Sequence, residues 1–554
     1  MSMTNTSRTT GGDVLVEVMK KHGIDTAFGV ISVHNLPLVE AVARDLRFVE
    51  MRHEAACVSA ADGYARATGK IGIAITSTGT GAGNAAGSMI EALTAGSRVL
   101  HITGQVDSEY VAHPRGVIHE FPAQLDMLTA ISKHAARVES VTQCRQVLED
   151  AIAHIERAPS GPASVEWPSD LQYLAEPDDQ AFTPLEMPAL PHPDQADLER
   201  AAGLLRAARR PMFWLGGGAA SAAEPLTELA ERLGAAVVTS NSGRAVVRED
   251  NELVIGNFGS DPGTADLLGQ ADLMLAVGTH FRSNETKSYA LKLPATSIAV
   301  DVDAAALGRV YPCDVGLHGD AGAVIEDLLA LVPDSATEPG WRDKVVTTRN
   351  AVRGALDEAI GGYSDICTAL NELPEGSIVA RDVTIPSSQW GNRLLRFVDR
   401  RSNIFPLGGG IGQGLGMAIG ASVGRPDVPT IAFVGDGGLA VHLGELGALV
   451  QSGARCTVLV FNDCGYGVLR NMQKANGFAE VACDLATPDF AKLAESYGMP
   501  FWRADGATPF AEVLGAAVNV AGPAMVEVVI DKLDPSPRPF TPPVHVPSKG
   551  AHHG

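Results

Sequence analysis

The stretch from Thr430 to Gly467 limits the fold of this chain more than any other part of its sequence. It contains an apolar run, a Gly-Asp-Gly turn around Asp436, a segment with helical spacing of apolar residues, a second apolar run and a polar turn that holds Asp463. Apolar strands that alternate with amphipathic helices are typical of a parallel α/β sheet. We therefore predict that both aspartates follow strands of one such sheet.

Asp436 and Asp463 would then lie at the carboxyl ends of two strands, where ligands of open α/β sheets bind. Gly435, Gly437 and Gly438 allow the backbone to approach a ligand closely. The helix after this turn directs its unpaired amides toward the same crevice and favours an anion, typically phosphate. Two carboxylates beside a phosphate indicate a hard divalent cation such as Mg²⁺. A lone Gly-Asp-Gly is more often a plain turn, but this series predicts a site for a metal-bridged diphosphate.

The complete series, from Gly-Asp-Gly to Asn-Asp-x-Gly-Tyr-Gly, resembles the thiamin-diphosphate enzymes, in particular the acetolactate synthase, benzoylformate decarboxylase and benzaldehyde lyase branch. The resemblance implies that Asp436, Asp463 and the backbone carbonyl of Gly465 hold Mg²⁺. It also implies that Tyr466 and Gly467 border the cofactor. The family most often has Asn where this chain has Asp463, and Asp is also a good oxygen ligand.

A second series, Arg-His-Glu followed by ADGYARATGK and STGTGAGN, resembles the pyrimidine-binding domain of the same enzymes. The resemblance implies that Glu54 hydrogen-bonds N1′ of the aminopyrimidine and is the side chain that the cofactor's chemistry requires. Burial in a dry pocket raises the pKa of a glutamate and lets it hold a shared proton. A glutamate at a helix start is often only a surface residue favoured by the helix dipole. The surrounding series favours the catalytic role.

Ile411 lies between glycines in the run FPLGGGIGQGLG, ahead of Asp436. The resemblance implies that this isoleucine wedges under the coenzyme and holds it in a bent conformation; an ordinary core isoleucine is the alternative. Gly409 of the same run and Thr384, which follows a predicted strand at 377–383, are further candidates for cofactor contact.

Several polar side chains are candidates for catalysis on the substrate. His34 lies in GVISVHNLP, where the benzaldehyde lyase type also has an active-site histidine. Gln105 follows a predicted strand, and the polar segment after it contains His113, His119 and the sequence FPAQ at 121–124. Acetolactate synthases carry a Phe-Gln pair near this segment. Histidine titrates near neutral pH and suits acid/base work, although a lone loop histidine is more often solvated or structural.

The resemblance extends over about residues 11–535 and implies three domains. We predict an α/β fold of three doubly wound parallel-sheet domains: a pyrimidine-binding domain at 11–175, a central domain at 193–333 and a diphosphate-binding domain at 345–535. An extended tail is predicted at 536–554. The first and third domains have the same order of strand, Gly-rich turn, helix and strand, so they are expected to be related units.

Composition limits the class of partner and the compartment. The chain has 554 residues, of which 45% are hydrophobic and 19% charged, and a formal net charge of −22. This charge argues against nucleic-acid binding through a basic surface. Seven cysteines without CxxC pairs suit a reducing compartment. No stretch reaches about 18 apolar residues and the N-terminus has no apolar core, so we predict a cytoplasmic protein without membrane contact.

The resemblance implies cleavage or formation of a C–C bond at a carbonyl, with thiamin diphosphate and Mg²⁺ as cofactors. The first hypothesis is a carboligase or lyase of the acetolactate synthase type that acts on 2-oxo acids, aldehydes or 2-hydroxy ketones. Alternatives are a 2-oxo acid decarboxylase of the benzoylformate decarboxylase type, a flavin-containing relative, and a catalytically silent assembly partner. The Gly-Gly-Gly turn after residues 211–215 is a weak signal for FAD, which is not favoured. In the family, Glu54 and Asp436 meet across a subunit interface, which implies a homodimer or homotetramer.

Overall fold

The computed structural model describes residues 10–174, 183–333, 336–543 and 546. Three six-stranded sheets follow one another along the chain, and all of their strands pair in parallel. Parallel sheets bury both faces under helices, which explains why most of these strands are continuous apolar runs. The prediction of three parallel-sheet α/β domains is confirmed. The domain boundaries stay predictions, and those at 175 and 554 lie outside the described residues.

The strands of the N-terminal sheet are β1 (Thr26–Gly29), β2 (Arg47–Glu50), β3 (Gly72–Thr76), β4 (Val99–Gln105), β5 (His134–Arg137) and β6 (Ala163–Pro168). Its helices are α1 (Gly11–Lys21), α2 (Leu36–Asp45), α3 (Glu54–Thr68), α4 (Thr80–Ala95), α5 (Ser108–Ala112), α6 (Gln124–Ala130), α7 (Cys144–Glu156) and α8 (Ser169–Gln172). The spatial order is β2-β1-β3-β4-β6-β5. The polar segment after β4 is therefore less irregular than its composition indicates, since it holds α5 and the start of α6.

The central domain contains β7 (Pro211–Leu215), β8 (Ala236–Thr239), β9 (Val254–Gly256), β10 (Leu273–Val277), β11 (Thr296–Asp301) and β12 (Val315–His318). Its helices are α9 (Gln195–Ala207), α10 (Ala223–Leu233), α11 (Pro262–Gln270) and α12 (Ala321–Leu331). The order β12-β11-β10-β7-β8-β9 is that of a dinucleotide-binding sheet.

The strands of the C-terminal sheet are β13 (Ile378–Arg381), β14 (Asn403–Ile404), β15 (Thr430–Gly435), β16 (Cys456–Asn462), β17 (Phe501–Ala504) and β18 (Ala524–Val529). Its helices are α13 (Trp341–Ala359), α14 (Tyr363–Asn371), α15 (Gly414–Gly424), α16 (Asp436–Val441), α17 (Glu445–Ser452), α18 (Gly467–Ala475), α19 (Phe490–Ser496) and α20 (Phe510–Val518). The order β14-β13-β15-β16-β18-β17 repeats that of the N-terminal sheet, strand for strand. This shared topology agrees with the related units expected from the sequence.

The helical segment after the Gly-Asp-Gly turn differs from the prediction. The spacing of Leu443, Leu446 and Val450 indicated one helix over 439–451, whereas the structure has two, α16 and α17. The break lies at His442 and Gly444, where His442 leaves the helical conformation and its ring nitrogen Nδ1 lies 2.8 Å from the carbonyl oxygen of Gly412. A side chain engaged by another loop therefore interrupts a pattern that is otherwise continuous.

Helices α3 and α15 pack against each other where the N-terminal and C-terminal domains meet, and their backbones almost touch. A Cβ atom added to Gly63 would lie 2.0 Å from the carbonyl oxygen of Met417, and one added to Gly420 would lie 1.8 Å from that of Ala60. Only glycine permits so close an approach. One apolar core cluster accordingly includes residues of both domains, such as Phe28 and Val434.

Glu445 of α17 is a second link between the two domains. Its carboxylate accepts hydrogen bonds from the Arg52 backbone amide at 3.1 and 3.2 Å, two residues before Glu54. The side chain is 1% exposed, and burial raises the pKa of Glu445 to about 7. A carboxyl whose pKa is raised in the folded state stabilises the fold below its unfolded pKa, and this contribution is lost as the pH rises through the folded pKa.

We therefore expect Glu445→Gln to gain thermal stability relative to the unsubstituted protein as the pH rises from 5 to 8. The amide cannot ionise, whereas the buried acid costs about 2–3 kcal/mol once it is charged. Calorimetric Tm values at several pH values measure the difference, with Glu512→Gln on the exposed face of α20 as control. A difference in Tm that does not change with pH would contradict this expectation.

The helices of the described residues include none with the length and apolar character needed to cross a membrane. All seven cysteines lie in the described part of the chain, and none of them forms a disulfide there.

Candidate active site

The C-terminal sheet reverses its direction of winding between β13 and β15, and ligands bind at such switch points. Asp382 directly follows β13, Asp436 follows β15 and Asp463 follows the neighbouring strand β16. The structure brings the two predicted ligands together, since the backbone nitrogen of Asp463 lies 3.5 Å from Oδ1 of Asp436.

Asp436 is buried, Asp463 is partly buried, and their negative charges repel each other. Asp436 is 3% exposed, and within the described chain its Oδ2 atom has no hydrogen-bond partner. Burial raises the pKa of Asp436, and burial together with the negative charge of Asp436 raises the pKa of Asp463 to about 7. A buried, unpartnered carboxylate oxygen is costly, and a divalent cation would satisfy it.

The donor set fits Mg²⁺, because Asp436 and Asp463 offer only oxygen ligands. Over the described residues, no three His, Cys, Asp or Glu side chains are grouped so that they could hold a metal ion. A site with two carboxylates therefore needs the third protein ligand that the resemblance implies, the backbone carbonyl of Gly465. That oxygen lies 3.3 Å from the position of a Cβ atom added to Gly437.

Glycines form the cradle around the aspartates. An added Cβ atom would lie 2.7 Å from the Tyr466 ring at Gly437, 2.0 Å from the Cys483 carbonyl oxygen at Gly465 and 1.8 Å from Oδ2 of Asp463 at Gly467. Such distances leave no room for any side chain. The close approach predicted from the Gly-rich turns is therefore present at this end of the sheet.

We expect Gly467→Ala to weaken cofactor binding by about 10–100-fold, because its methyl group would displace Asp463, the predicted metal ligand. Titration of the apoprotein with thiamin diphosphate and Mg²⁺, followed by tryptophan fluorescence, measures the affinity. Gly515→Ala is the matched control, since this helical glycine of α20 has nothing within 4 Å of an added Cβ. Equal affinities for the two variants would contradict the assigned role of Gly467.

Asp382 is a site residue that the sequence analysis missed. It accepts hydrogen bonds from the backbone amides of Gly412 (2.9 Å) and Gly414 (3.1 Å), and burial raises its pKa to about 6. These bonds anchor the turn that carries Ile411, whose side chain is 39% exposed. An exposed isoleucine on an anchored turn fits the predicted wedge better than a core residue. The signal that identified Asp436, an acid directly after a strand, was also present at Asp382.

Glu91 holds the other side of the same turn across the domain boundary. Its carboxylate accepts a hydrogen bond from the Gly408 backbone amide at 2.6 Å, and burial raises the pKa of Glu91. Gly409 has a φ of 85°, a left-handed conformation that favours glycine. Two domains therefore fix the conformation of this turn together.

Thr384 lies where it was predicted, beyond β13, and is 8% exposed. Its Oγ1 atom accepts a hydrogen bond from the Ser387 backbone amide at 3.0 Å, and its Cγ2 atom lies 3.0 Å from the position of a Cβ added to Gly435. The side chain thus packs directly on the strand end that leads into Asp436.

Glu54 is the first residue of α3 and is partly exposed. Its Oε2 atom accepts a hydrogen bond from the Asn84 side chain at 3.0 Å, and its Oε1 atom lies 2.8 Å from the position of a Cβ added to Gly81. Asn84 was missed, although it ends the STGTGAGN motif. In the single chain Glu54 is partly exposed and does not lie in the dry pocket expected for it.

His34 and His119 form a pair beyond β1, at the switch point of the N-terminal sheet. Their ring centroids are 5.3 Å apart with an interplanar angle of 70°. No hydrogen-bond partner for His34 Nε2 or His119 Nδ1 exists among the described residues, although both atoms are buried. Burial, and then the proximity of His119, lower the pKa of His34. His119 has a φ of 66°, a strained conformation for a non-glycine residue.

Gln105 is buried and both ends of its amide are engaged. Its Nε2 atom donates to Glu166 at 3.2 Å, and its Oε1 atom accepts from the Val106 amide at 2.8 Å. Gln124 joins the network through a bond to Glu166 at 3.0 Å. Gln124 also accepts a hydrogen bond from the Gly79 backbone amide at 2.7 Å, and Gly79 packs against the backbone of His119. His113 is exposed at the end of α5, apart from this network.

Comparisons with known proteins agree with this geometry. Three family models of the thiamine pyrophosphate enzymes match: the N-terminal TPP-binding domain over residues 9–129, the central domain over 198–328 and the C-terminal TPP-binding domain over 386–528. Thiamine pyrophosphate is another name for thiamin diphosphate. The chain belongs to this enzyme family, as the sequence predicted.

Relatives match nearly the whole chain. The probable 2-ketoarginine decarboxylase of Pseudomonas aeruginosa is 31% identical over 530 residues, which cover 94% of each chain. The probable acetolactate synthase large subunit of Methanococcus aeolicus is 26% identical, over 94% of this chain and 92% of its own. The acetolactate synthase isozyme 2 large subunit of Escherichia coli is 26% identical, over 96% of this chain and 97% of its own. The chain is therefore similar both to acetolactate synthases and to a probable 2-ketoarginine decarboxylase.

Proposed function

We propose that this protein is a thiamin-diphosphate- and Mg²⁺-dependent carboligase or lyase that uses a 2-oxo acid as donor. The observation that carries the proposal is the adjacent pair Asp436 and Asp463 at the switch point of the C-terminal sheet, where one oxygen of the buried Asp436 is unsatisfied. The second support is Glu54 at the start of a helix in a domain of the same topology.

The residues that would hold the cofactor surround this switch point. Asp436, Asp463 and the carbonyl of Gly465 would bind the metal, and the turns at 435–438 and 465–467 would border the diphosphate. Ile411, with Gly409 and Thr384 beside it, would support the coenzyme in its bent form. When bound, thiamin diphosphate supplies a nucleophilic carbon that adds to a carbonyl and accepts the electron pair of the broken C–C bond.

Glu54 would hold and release a proton at the pyrimidine ring through its carboxylate, with Asn84 as its orienting partner. A second copy of the chain would supply the surface that buries it. The exposed face of α4, which carries Asn84, also presents Ile90 (51% exposed) and Leu93 (37% exposed) beside the open glycine Gly87. Exposed apolar side chains next to a partly exposed catalytic acid support a homodimer or homotetramer with active sites between subunits.

His34 and His119 would face the substrate. Each has an unsatisfied buried ring nitrogen, so either can donate or accept a proton at a carbonyl or carboxylate oxygen. Gln105 would act by positioning this pair through the buried amide network. Seven cysteines without a disulfide suit a reducing compartment, which supports a location in the cytoplasm.

Product analysis tests the reaction. Purified protein with thiamin diphosphate and Mg²⁺ is supplied with pyruvate, benzoylformate or 2-ketoarginine, each with and without an acceptor aldehyde. A carboligase gives a 2-hydroxy ketone or acetohydroxy acid that depends on the acceptor. Absence of any product from a broad panel of 2-oxo acids would refute the proposal.

A plain 2-oxo acid decarboxylase is the second candidate, and the relative from Pseudomonas aeruginosa supports it. Release of an aldehyde and CO₂ at a rate independent of the acceptor would identify this activity.

A flavin role remains disfavoured. Gly216 and Gly218 of the Gly-Gly-Gly turn pack on Gly278, whose carbonyl oxygen would lie 2.0 Å from a Cβ added to Gly216, and Gly217 packs on Ser242. The cavity between Asp301 and Tyr311 has a volume of only about 20 Å³. Packing within the domain thus accounts for these glycines, and a colourless purified protein is expected.

A further inference from the structure

A cleft of about 440 Å³ lies where the N-terminal and C-terminal domains meet. Arg47 at the start of β2 lines one side, and Ser422, Arg455 and Asn519 of the C-terminal domain line the other. Arg455 directly precedes β16, whereas Asp463 directly follows it. The cleft is therefore separated from the paired aspartates by the length of a seven-residue strand, roughly 20 Å.

The charge of this cleft is opposite to that of the chain. Its described lining includes two arginines and no acidic residue, although the protein carries a net charge of −22. Arginine keeps its charge at any physiological pH. Two fixed positive charges that face one cleft favour an anionic occupant.

These two arginines cap the ends of helices, and this role uses only some of their hydrogen-bond donors. Nη2 of Arg47 donates to the Ser452 carbonyl at 3.3 Å, and Nη2 of Arg455 donates to the Val518 carbonyl at 3.0 Å. Both carbonyls lie at C-terminal ends of helices, where cationic side chains are favoured. A guanidinium has five N–H donors, so each arginine retains donors for a ligand.

Two buried polar atoms on the lining are unsatisfied. Nε of Arg455 and Oγ of Ser422 have no hydrogen-bond partner within the described chain, and Ser422 is 1% exposed. Leaving such groups unpaired costs free energy, and native proteins rarely do so. Both atoms can donate a hydrogen bond to an oxyanion.

We propose that this cleft binds a small organic oxyanion, a phosphate or carboxylate compound, between Arg47 and Arg455. The guanidinium of Arg455 would bind the oxyanion through Nε and a free Nη donor, with Ser422 as a third donor. The volume is in the range of small-molecule sites and exceeds that of an inorganic ion. This site is separate from the proposed active site, and the ligand would stabilise the junction between two domains by binding only the folded chain.

Calorimetric titration of the holoenzyme tests the proposal, because bound thiamin diphosphate and Mg²⁺ already occupy the diphosphate position. The probes are glucose 6-phosphate, succinate and, as neutral control, glucose. We expect one or both oxyanions to bind with a Kd below about 1 mM and glucose to give no signal. Binding of glucose 6-phosphate alone assigns a phosphate ligand, and binding of succinate alone assigns a carboxylate.

Variants locate the binding. Arg455→Gln and Arg47→Gln should each weaken it by about 10-fold or more, and Arg455→Lys by less, since the charge is kept. Arg206→Gln is the matched control, because this exposed arginine also donates to one helix-end carbonyl, that of Leu331. Arg47 lies on an exposed strand end, so its variant is informative even where Arg455→Gln does not fold. Failure of both oxyanions to bind, or unchanged affinity in both glutamine variants, would overturn the proposal.

Discussion

Replacement of Glu54 by glutamine is expected to reduce kcat by about 10²–10⁴-fold, the range that a positioned acid or base contributes. An amide keeps the size of the side chain and can still hydrogen-bond a ring nitrogen, but it cannot hold and release a proton. Affinity for thiamin diphosphate should change by less than about 10-fold, since the metal and diphosphate contacts are untouched. Steady-state kinetics and a cofactor titration measure the two effects separately.

Glu50→Gln is the control for Glu54→Gln. Glu50 is an exposed acid at the end of β2, four residues before Glu54, and its substitution should leave kcat unchanged. Asn84→Ala should give an intermediate loss of kcat, because it removes only the hydrogen bond that orients Glu54. Full turnover by Glu54→Gln would refute the role assigned to this carboxylate.

Asp436→Ala is expected to lower the affinity for thiamin diphosphate with Mg²⁺ by about 100-fold or more, because a metal ligand is lost. Asp463→Asn should bind nearly as well as the unsubstituted protein. Asparagine is also an oxygen ligand, and it removes the repulsion from Asp436, which after burial is the next cause of the raised pKa of Asp463. Calorimetric titration of the apoproteins measures both affinities. Equal losses in the two variants would show that the charge of the pair, rather than the ligand at Asp436, determines binding.

Mixing two inactive variants extends these predictions to the assembly. Subunits that carry Glu54→Gln and subunits that carry Asp436→Ala each lack one part of the site. If sites are shared across a twofold interface, random exchange gives mixed dimers with one intact site in two, and about a quarter of full activity returns. Each variant incubated alone is the control. Activity that stays at the level of the separate variants after exchange would place both residues of a site in one chain.

The ends of parallel strands were the most predictable part of the site. An acid that follows an apolar run, as at Asp436 and Asp463, can be recognised from the neighbouring residues alone. Pairing of the two strands then places the two acids close together. Asp382 had the same signal but was missed because the predicted strand at 377–383 ran through it, whereas β13 ends at Arg381. The tertiary contacts of that aspartate with Gly412 and Gly414 cannot be read from residue spacing.

Contacts between distant segments account for the other differences. The helix expected over 439–451 is interrupted because His442 is engaged by the turn at Gly412, a partner 30 positions away. Gln105 resembled a substrate-facing residue at a strand end, yet its amide is held by Glu166 on a neighbouring strand. Local patterns predicted the elements, and the partners of their side chains depended on how the sheets assemble.

The tight crossing of α3 and α15 limits how this scaffold can be recombined. Because there is no gap between the two helices at Gly63 and Gly420, the surface of each helix has to be complementary in shape to that of the other. Chimeras that exchange only the first or only the third domain with a relative should fail wherever the incoming helix carries alanine or a larger residue at these positions. In the design of chimeric enzymes, the first and third domains should therefore be transferred together, whereas the central domain can be exchanged separately.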